Sequence, residues 1–398
     1  MNWTKKIHRT TITALSATLI MVSGWGASAS SVHAAASATP AATPAACGTG
    51  DHGLLQSLQN KHSGDVSTPL TFSDVQFLNG NIGRAAGNGF MIGTSDGGCN
   101  FQEIYEGQWS FKQIDFPDNV HGFALASVED GQARYLISTS NGGSEWKRLS
   151  NKAVSFERID FIDSKIGFGY NRASTYYTKD GGLSWSKIST PSNTRGAYFS
   201  DRNTGWAVVT VPGTSYRVMK TADGGKTWSL SLKVAFTDPE YGQITSKGDQ
   251  VDVVLYGGSG MSQTSYSLYT STNKGKSWNR VIAQETAGGG PAPGSGRAVV
   301  NKGPASGRPG NLEPIGNNTT FLVGYSDAAE KVAVGRTYNG GKQWTNLPAI
   351  AGYEGVISFT SNKEGWLAVR ELDYSSLYVT KDGGASWQLR FSLKILSL

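Results

Sequence analysis

The stretch that indicates the fold is Thr178-Lys179-Asp180-Gly181-Gly182-Leu183-Ser184-Trp185, one copy of a repeated pattern. The pattern is a Ser or Thr, any residue, an Asp or Asn, a turn that contains glycine, and an aromatic residue at the eighth position. It occurs seven times between Thr94 and Trp387, and we call it the Asp box. Its acidic or amide residue is, in chain order, Asp96, Asn141, Asp180, Asp223, Asn273, Asn339 and Asp382.

The spacing of these boxes indicates a repeat fold. The markers lie 39 to 50 residues apart, with one interval of 66, and a four-stranded propeller blade takes about 40 to 50 residues. Most boxes are preceded by an aromatic residue, a polar turn, and then Gly with an apolar strand, as in Phe161 to Gly167-Phe168. The sequence therefore predicts an all-β, seven-bladed β-propeller with four-stranded antiparallel blades and Asp-box turns.

The residue types of the box suit a structural role. A short Asp or Asn side chain can accept backbone N–H bonds within its own turn, and glycine supplies the positive φ angles. Three of the seven positions are Asn and further oxygen ligands are lacking, so we predict turn residues and no calcium or other metal site. We expect the aromatic residue that ends each box to be largely buried between blades; the six tryptophans among them are Trp146, Trp185, Trp228, Trp278, Trp344 and Trp387.

The N-terminus predicts export. Lys5, Lys6 and Arg9 precede an apolar run that ends near small residues, which is typical of a signal peptide, here residues 1–34. Residues 35–67 form an Ala/Pro/Thr-rich linker and an N-terminal arm, and residues 68–398 the propeller, with a Gly/Pro-rich loop inserted at about 288–310 that need not have regular structure. We expect a secreted or cell-surface protein whose mature chain is soluble and monomeric.

The only two cysteines are Cys47 and Cys99. In an exported chain they can form a disulfide that ties the arm to the first repeat, with two free thiols as the alternative. No Cys/His metal pattern is present.

The net charge and the positions of the basic residues indicate which classes of partner the protein binds. The formal net charge of +6 falls to +3 without the signal peptide, and lysines and arginines are scattered along the chain, so we do not expect a nucleic-acid partner. From the strand order we predict that four arginines meet on the face opposite the boxes and bind a protein or membrane-protein partner. They are Arg84, Arg172, Arg195 and Arg370, and the inserted loop adds Arg297 and Arg308.

Catalysis has little support in the sequence. His121 is the only histidine within the repeats, which argues against a Ser/His/Asp or multi-histidine zinc site, and no cofactor is indicated. Carboxylate pairs on loops, such as Glu371 with Asp373 and Glu129 with Asp130, leave glycoside hydrolysis open.

The box and the motif before it resemble the photosystem II stability and assembly factor family of Asp-box (BNR) propellers, over about Thr68 to Trp387. Sortilin-type receptors, sialidases and xyloglucanases also carry Asp boxes. The resemblance implies an exported, non-catalytic scaffold, and its photosynthetic members bind membrane-protein assembly intermediates. The alternative is a secreted glycoside hydrolase or a carbohydrate-binding propeller, although the Arg-Ile-Pro motif of sialidases is absent.

Overall fold

The computed structural model describes residues 47, 53–54, 56–58, 70–128, 131–260, 262–294 and 301–395. By its internal contacts the chain divides into Met1–Ala46 and Cys47–Leu398. The predicted signal peptide and most of the arm lie outside the described residues, as does Arg297. No helix among the described residues is long and apolar enough to span a membrane.

The described part of the second unit is a β-propeller whose strands form six antiparallel sheets. Sheet 1 contains β1 (Phe72–Phe77), β2 (Gly83–Thr94), β3 (Gln102–Asp115), β4 (Gly122–Val128), β5 (Tyr135–Thr139) and β6 (Lys147–Arg148). Sheet 2 contains β7 (Arg158–Phe161), β8 (Gly167–Tyr170), β9 (Thr175–Thr178) and β10 (Ser186–Ile188), and sheet 3 contains β11 (Thr194–Phe199), β12 (Gly205–Val211), β13 (Ser215–Thr221) and β14 (Ser229–Ala235).

The last three sheets follow the same order. Sheet 4 contains β15 (Gly242–Lys247), β16 (Gln250–Ser259), β17 (Thr264–Ser271) and β18 (Asn279–Gln284). Sheet 5 contains β19 (Arg308–Gly316), β20 (Thr319–Ser326), β21 (Lys331–Thr337), β22 (Thr345–Asn346) and β23 (Ile350–Ala351), and sheet 6 contains β24 (Glu354–Phe359), β25 (Gly365–Arg370), β26 (Tyr374–Thr380) and β27 (Gln388–Lys394). Two single-turn 3-10 helices lie between these strands, at Pro304–Ser306 and Asp327–Ala329.

The predicted count of seven blades is wrong, because the propeller has six. The first two sequence repeats share sheet 1 through β3, a continuous strand of 14 residues. Its residues 102–110 pair with β2, up to Ser110 opposite Asn88, and its residues 109–115 pair with β4, from Trp109 opposite Val128. The sequence contains seven boxes, but in the structure the hydrogen bonding of the sheet continues without a break from the first repeat to the second. The number of boxes is therefore larger than the number of blades. Below, repeats 1 to 7 are numbered by their boxes.

The seven Asp boxes share one hydrogen-bond pattern. In repeat 3, Thr178 Oγ1 donates to Asp180 Oδ1 at 2.8 Å and accepts the N–H of Gly182 at 2.9 Å, while Asp180 Oδ1 accepts the N–H of Ser184. The other six boxes repeat these contacts. Gly182 has a φ of +86°, a left-handed conformation that glycine adopts without strain.

Aromatic side chains fill the space between repeats. Trp146 and Trp344 are buried and Trp185, Trp228, Trp278 and Trp387 are half-buried, so none of the six is exposed, in line with the expectation that they are largely buried. Stacked rings join neighbouring repeats, as in Phe123 with Phe161, whose centroids lie 3.4 Å apart. A box tryptophan then contacts the edge of such a stack.

The first and last repeats close the ring. Phe77 stacks on Trp366 with ring centroids 3.4 Å apart, and Ser358 Oγ accepts the N–H of Phe77 at 3.0 Å. Leu54 and Leu58 of the arm are buried in the same apolar cluster. Cys47 and Cys99 form a disulfide with their Cα atoms 4.8 Å apart, which ties the arm to the box of repeat 1.

The inserted segment is partly regular where it is described. Asn301 forms a parallel bridge with Ile282 on the outer strand of repeat 5, and β19 already begins at Arg308. Ser267 Oγ also donates to the carbonyl of Pro293 at 2.7 Å. The segment therefore packs on repeat 5 before it leads into repeat 6.

Candidate functional site

Connections between strands alternate between two faces, because successive strands of a sheet are antiparallel. The box face carries the Asp boxes and the connections from first to second strands. The loop face carries the connections from second to third strands and those between repeats. These two faces and the channel between the innermost strands are the candidate sites.

Arg84 does not lie where the sequence placed it. It is the second residue of β2, next to the box face, and only 5% of it is exposed. Its guanidinium donates to the carbonyls of Gly142 and Asn119, at 2.9 and 2.7 Å, and lies 4.0 Å from the ring centroid of Phe116. The prediction failed because Arg84 begins the second strand and does not follow it. Arg84 therefore joins repeats 1 and 2 and offers little surface to a partner.

The other three predicted arginines lie on the loop face. Arg172 follows β8 and Arg370 ends β25, and both are exposed. Arg195 is the second residue of β11, is half-buried, and donates to the carbonyl of Thr194 at 3.0 Å. It lines a groove of about 530 Å³ together with Ala173, the residue after Arg172.

Tyrosines lie between the arginines of the loop face. The guanidinium of Arg172 lies 5.5 Å from the ring centroid of Tyr241, which stacks on Tyr256 at 4.1 Å. Burial raises the pKa of Tyr241, while the charges of Arg172 and Arg308 lower it. Repeats 3, 5 and 6 thus contribute to one cluster.

The cluster continues to the last repeat. Burial raises the pKa of Tyr325, and the charges of Arg308 and Arg370 both act to lower it. Each of these arginines also has a carboxylate nearby: Arg308 lies 3.7 Å from Asp327, and Arg370 lies 3.4 Å from Glu354. We call Arg172, Tyr241, Arg308, Tyr325 and Arg370 the arginine–tyrosine cluster.

Exposed apolar groups lie beside this cluster. Leu372 is 73% exposed and Tyr374 is 43% exposed, both in or next to the connection that follows Arg370. The neighbouring Glu371 accepts a hydrogen bond from Tyr378 at 3.1 Å. The other candidate pair, Glu129 and Asp130, lies outside the described residues.

The innermost strands of all seven repeats line one channel of about 520 Å³. Most of the residues that line it are polar, and they include four half-buried carboxyl groups, those of Asp74, Asp115, Asp160 and Glu313. The sequence analysis missed these residues. A signal exists, because innermost strands alternate polar and apolar residues before an aromatic, as in Asp74-Val75-Gln76-Phe77.

The channel carboxyls connect neighbouring repeats. Asp74 Oδ2 accepts the N–H of Ile114 at 2.8 Å, and Asp115 Oδ2 accepts the N–H of Phe161 at 2.5 Å. Glu313 Oε2 accepts the N–H of Phe359 at 2.8 Å. These carboxyl groups therefore have a structural role, because each one links the innermost strands of two neighbouring repeats by a hydrogen bond.

Desolvation by burial is the main cause of the raised pKa values of the channel carboxyls. Burial raises the pKa of Asp74 to about 7 and that of Glu313 to about 8, although each accepts a backbone N–H that favours the charged form. Burial and the neighbouring Asp160 raise the pKa of Asp115 well above its usual range. Asp160 itself is paired with Arg158 at 3.1 Å.

The described residues also include one histidine within the repeats, His121, which lies on the box face. The imidazole Nδ1 of His121 lies 2.9 Å from Asp118 Oδ2 on the exposed box face. Within the ranges that the structure describes, no three His, Cys, Asp or Glu residues are grouped so that they could hold a metal ion.

Comparisons with known proteins support the fold. The chain is similar to the GH74 xyloglucanase from Xanthomonas campestris, with a TM-score of 0.54 and 13% identity over 82% of this chain and 55% of that one. The chain is also similar to a prolyl endopeptidase structure, with a TM-score of 0.51 and 11% identity over 85% of this chain and 52% of that one. The structure of YCF48 bound to D1 peptide has a TM-score of 0.49 to this chain and 16% identity, over 79% of this chain and 93% of that one. No family model and no curated protein matches the chain. The two similarities with a TM-score above 0.5, to the xyloglucanase and the endopeptidase, agree with the β-propeller fold, and the chain spans about half the length of these two proteins.

Proposed function

We propose that the protein is an exported, non-catalytic propeller scaffold that binds a protein or membrane-protein partner through its loop face. The observation that supports it is the arginine–tyrosine cluster, in which arginines of repeats 3, 6 and 7 surround Tyr241 and Tyr325. Arginine and tyrosine are enriched at the centres of protein interfaces because both combine a flat contact area with hydrogen-bond donors. The role implied by the sequence resemblance is of the same kind.

The surroundings of the cluster suit a partner that carries carboxylates. Arg172 forms no ion pair with any residue that the structure describes, and Arg370 has only a long contact, at 3.4 Å, to an exposed glutamate. An acidic group of a partner could displace that glutamate and form a shorter, bidentate pair. Leu372 and Tyr374 would supply apolar contact at the edge.

The test is site-specific crosslinking. A photo-crosslinking amino acid replaces Leu372, and the purified protein is mixed with detergent-solubilised envelope extract of the source cells. We expect a crosslinked partner, and we expect R172A/R370A in the same background to reduce the yield at least tenfold, since two charge-assisted contacts are lost.

Two controls are available in the chain. Leu183 is similarly exposed, at 68%, but lies in a box on the opposite face, so the crosslinker at that position should capture nothing. The lysines of K165A/K363A lie on the box face, and this variant should behave like the native protein. Equal capture from both leucine positions, or capture that is unaffected by R172A/R370A, contradicts the proposal.

A glycoside hydrolase is the second candidate, favoured by the channel carboxyls. Glu313 and Asp74 have raised pKa values, as a general acid requires. Their bonds to the neighbouring strands argue for a structural role instead. Incubation of the purified protein with xyloglucan, β-glucans and sialosides decides between the two functions, because turnover that D74N or E313Q abolishes identifies an enzyme.

A further inference from the structure

A second surface of the protein has the properties of an anion site. It is a groove of about 380 Å³ on the box face, between the outer strand of repeat 3 and the Asp box of repeat 4. Its cations are Lys187 of β10, Arg202 of the β11–β12 connection, and Lys226 of the box. We propose that this groove binds a phosphate or sulfate group. The proposal is independent of the proposed function, which concerns the opposite face.

The three cations are available for a ligand. All three are exposed, and within the described ranges none of them forms an ion pair. Arg202 only lies over the ring of Tyr177, with its guanidinium carbon 5.7 Å from the centroid. Like charges that face one groove repel each other, and an anion between them removes that repulsion.

The one carboxylate in the groove is already engaged. Asp223 Oδ1 accepts hydrogen bonds from Thr221 Oγ1 at 2.8 Å and from the N–H of Thr227 at 2.9 Å, and its Oδ2 accepts one from Thr227 Oγ1 at 2.6 Å. These contacts belong to the box turn, and Asp223 forms no ion pair with Lys226 or Arg202 among the described residues. Three cations against one carboxylate leave a net charge of +2 in the groove.

The rest of the lining suits a phosphoryl or sulfuryl ligand. Ser186, Ser189 and Asn203 supply neutral donors beside the cations, and a guanidinium matches two oxygens of such a group at once. The ring of Tyr177 lies next to the guanidinium and offers a flat contact for the part of the ligand that carries the anion. The ligand class is therefore a tetrahedral oxyanion, free or attached to a larger molecule.

The experiment measures binding of inorganic phosphate to the full mature protein by isothermal titration calorimetry at low salt. We expect saturable binding that sulfate competes for, and at least tenfold weaker binding to K187A/R202A/K226A, because each lost cation removes a charge-assisted contact. The control, K152A/K331A/K394A, loses the same charge at exposed lysines outside the groove and should retain the native affinity.

A second arm identifies the source of the anion. Flotation with vesicles of phosphatidylglycerol in phosphatidylcholine should depend on the three groove cations if a lipid headgroup is the ligand. Phosphate binding without flotation instead assigns the site to a soluble phosphorylated or sulfated ligand. The proposal is overturned if the native protein shows no saturable phosphate binding, or if both triple variants bind phosphate equally.

Discussion

The arginines show how the surroundings of a residue decide its role. Arg84 and Arg172 are the same residue type, yet Arg84 is buried on Phe116 and Arg172 lies exposed near Tyr241. The sequence predicts the order of strands, but the two ends of a strand lie on opposite faces, and Arg84 lies at the beginning of β2 and not after its end. Arg84 was misplaced for that reason.

A single substitution tests the structural role of Arg84. We expect R84A to lower the free energy of unfolding by about 2–3 kcal/mol, because it removes two charge-assisted hydrogen bonds to backbone carbonyls of repeat 2 and the contact with Phe116. Urea unfolding followed by tryptophan fluorescence measures the change. R172A should alter it by less than about 0.5 kcal/mol, and equal effects of the two variants would contradict this assignment.

At the scale of elements, local and distant interactions differ in how well the sequence predicts them. The Asp box is predictable because the hydrogen bonds of its Ser/Thr and Asp/Asn side chains that all seven boxes share join residues within four positions of each other, as between Thr178 and Gly182. The hydrogen bonds of the channel carboxyls join residues about 40 to 46 positions apart, as between Asp74 and Ile114, so no local pattern identifies the N–H donor that each carboxyl binds. The shared strand β3 is likewise invisible, because both halves resemble ordinary strands.

Glu313 gives the channel a pH dependence that can be measured. Its pKa is about 8 in the folded protein against an ordinary value of 4.5, so between these pH values the folded state binds the proton more tightly than the unfolded chain does. The free energy of unfolding therefore falls as the pH rises through this window. The charge of Lys247 lessens the effect and that of Asp74 increases it.

The variant E313Q should remove this contribution. Glutamine has no charge to desolvate, and its carbonyl can still accept the N–H of Phe359. We expect E313Q to match the native protein near pH 5 and to exceed its free energy of unfolding by about 1–3 kcal/mol at pH 9. Unfolding in urea at both pH values measures this, with E145Q on the exposed box of repeat 2 as the control. A difference that stays constant with pH would argue against a buried, titrating Glu313.

For the molecule as a whole, stability depends on closing the ring. Repeats 1 and 7 come from opposite ends of the chain and meet through the stack of Phe77 on Trp366 and the bond from Phe77 to Ser358. The arm covers this junction with Leu54 and Leu58, which are buried among residues of both repeats. A ring that can open at one junction gains most from a covalent tie near it, and the disulfide of Cys47 provides that tie.

The last prediction concerns this disulfide. Cys47 and Cys99 are 52 positions apart, and a loop of that length restricts the unfolded chain enough to stabilise the folded state by about 4 kcal/mol in the chain-entropy model. Because measured values are commonly smaller, we expect C47S/C99S to lower the free energy of unfolding by about 2–4 kcal/mol. Urea unfolding measures the loss, and a reductant should destabilise the native protein to the same level while leaving C47S/C99S unchanged. A native protein whose stability does not respond to the reductant would show that the tie does not contribute to closure of the ring.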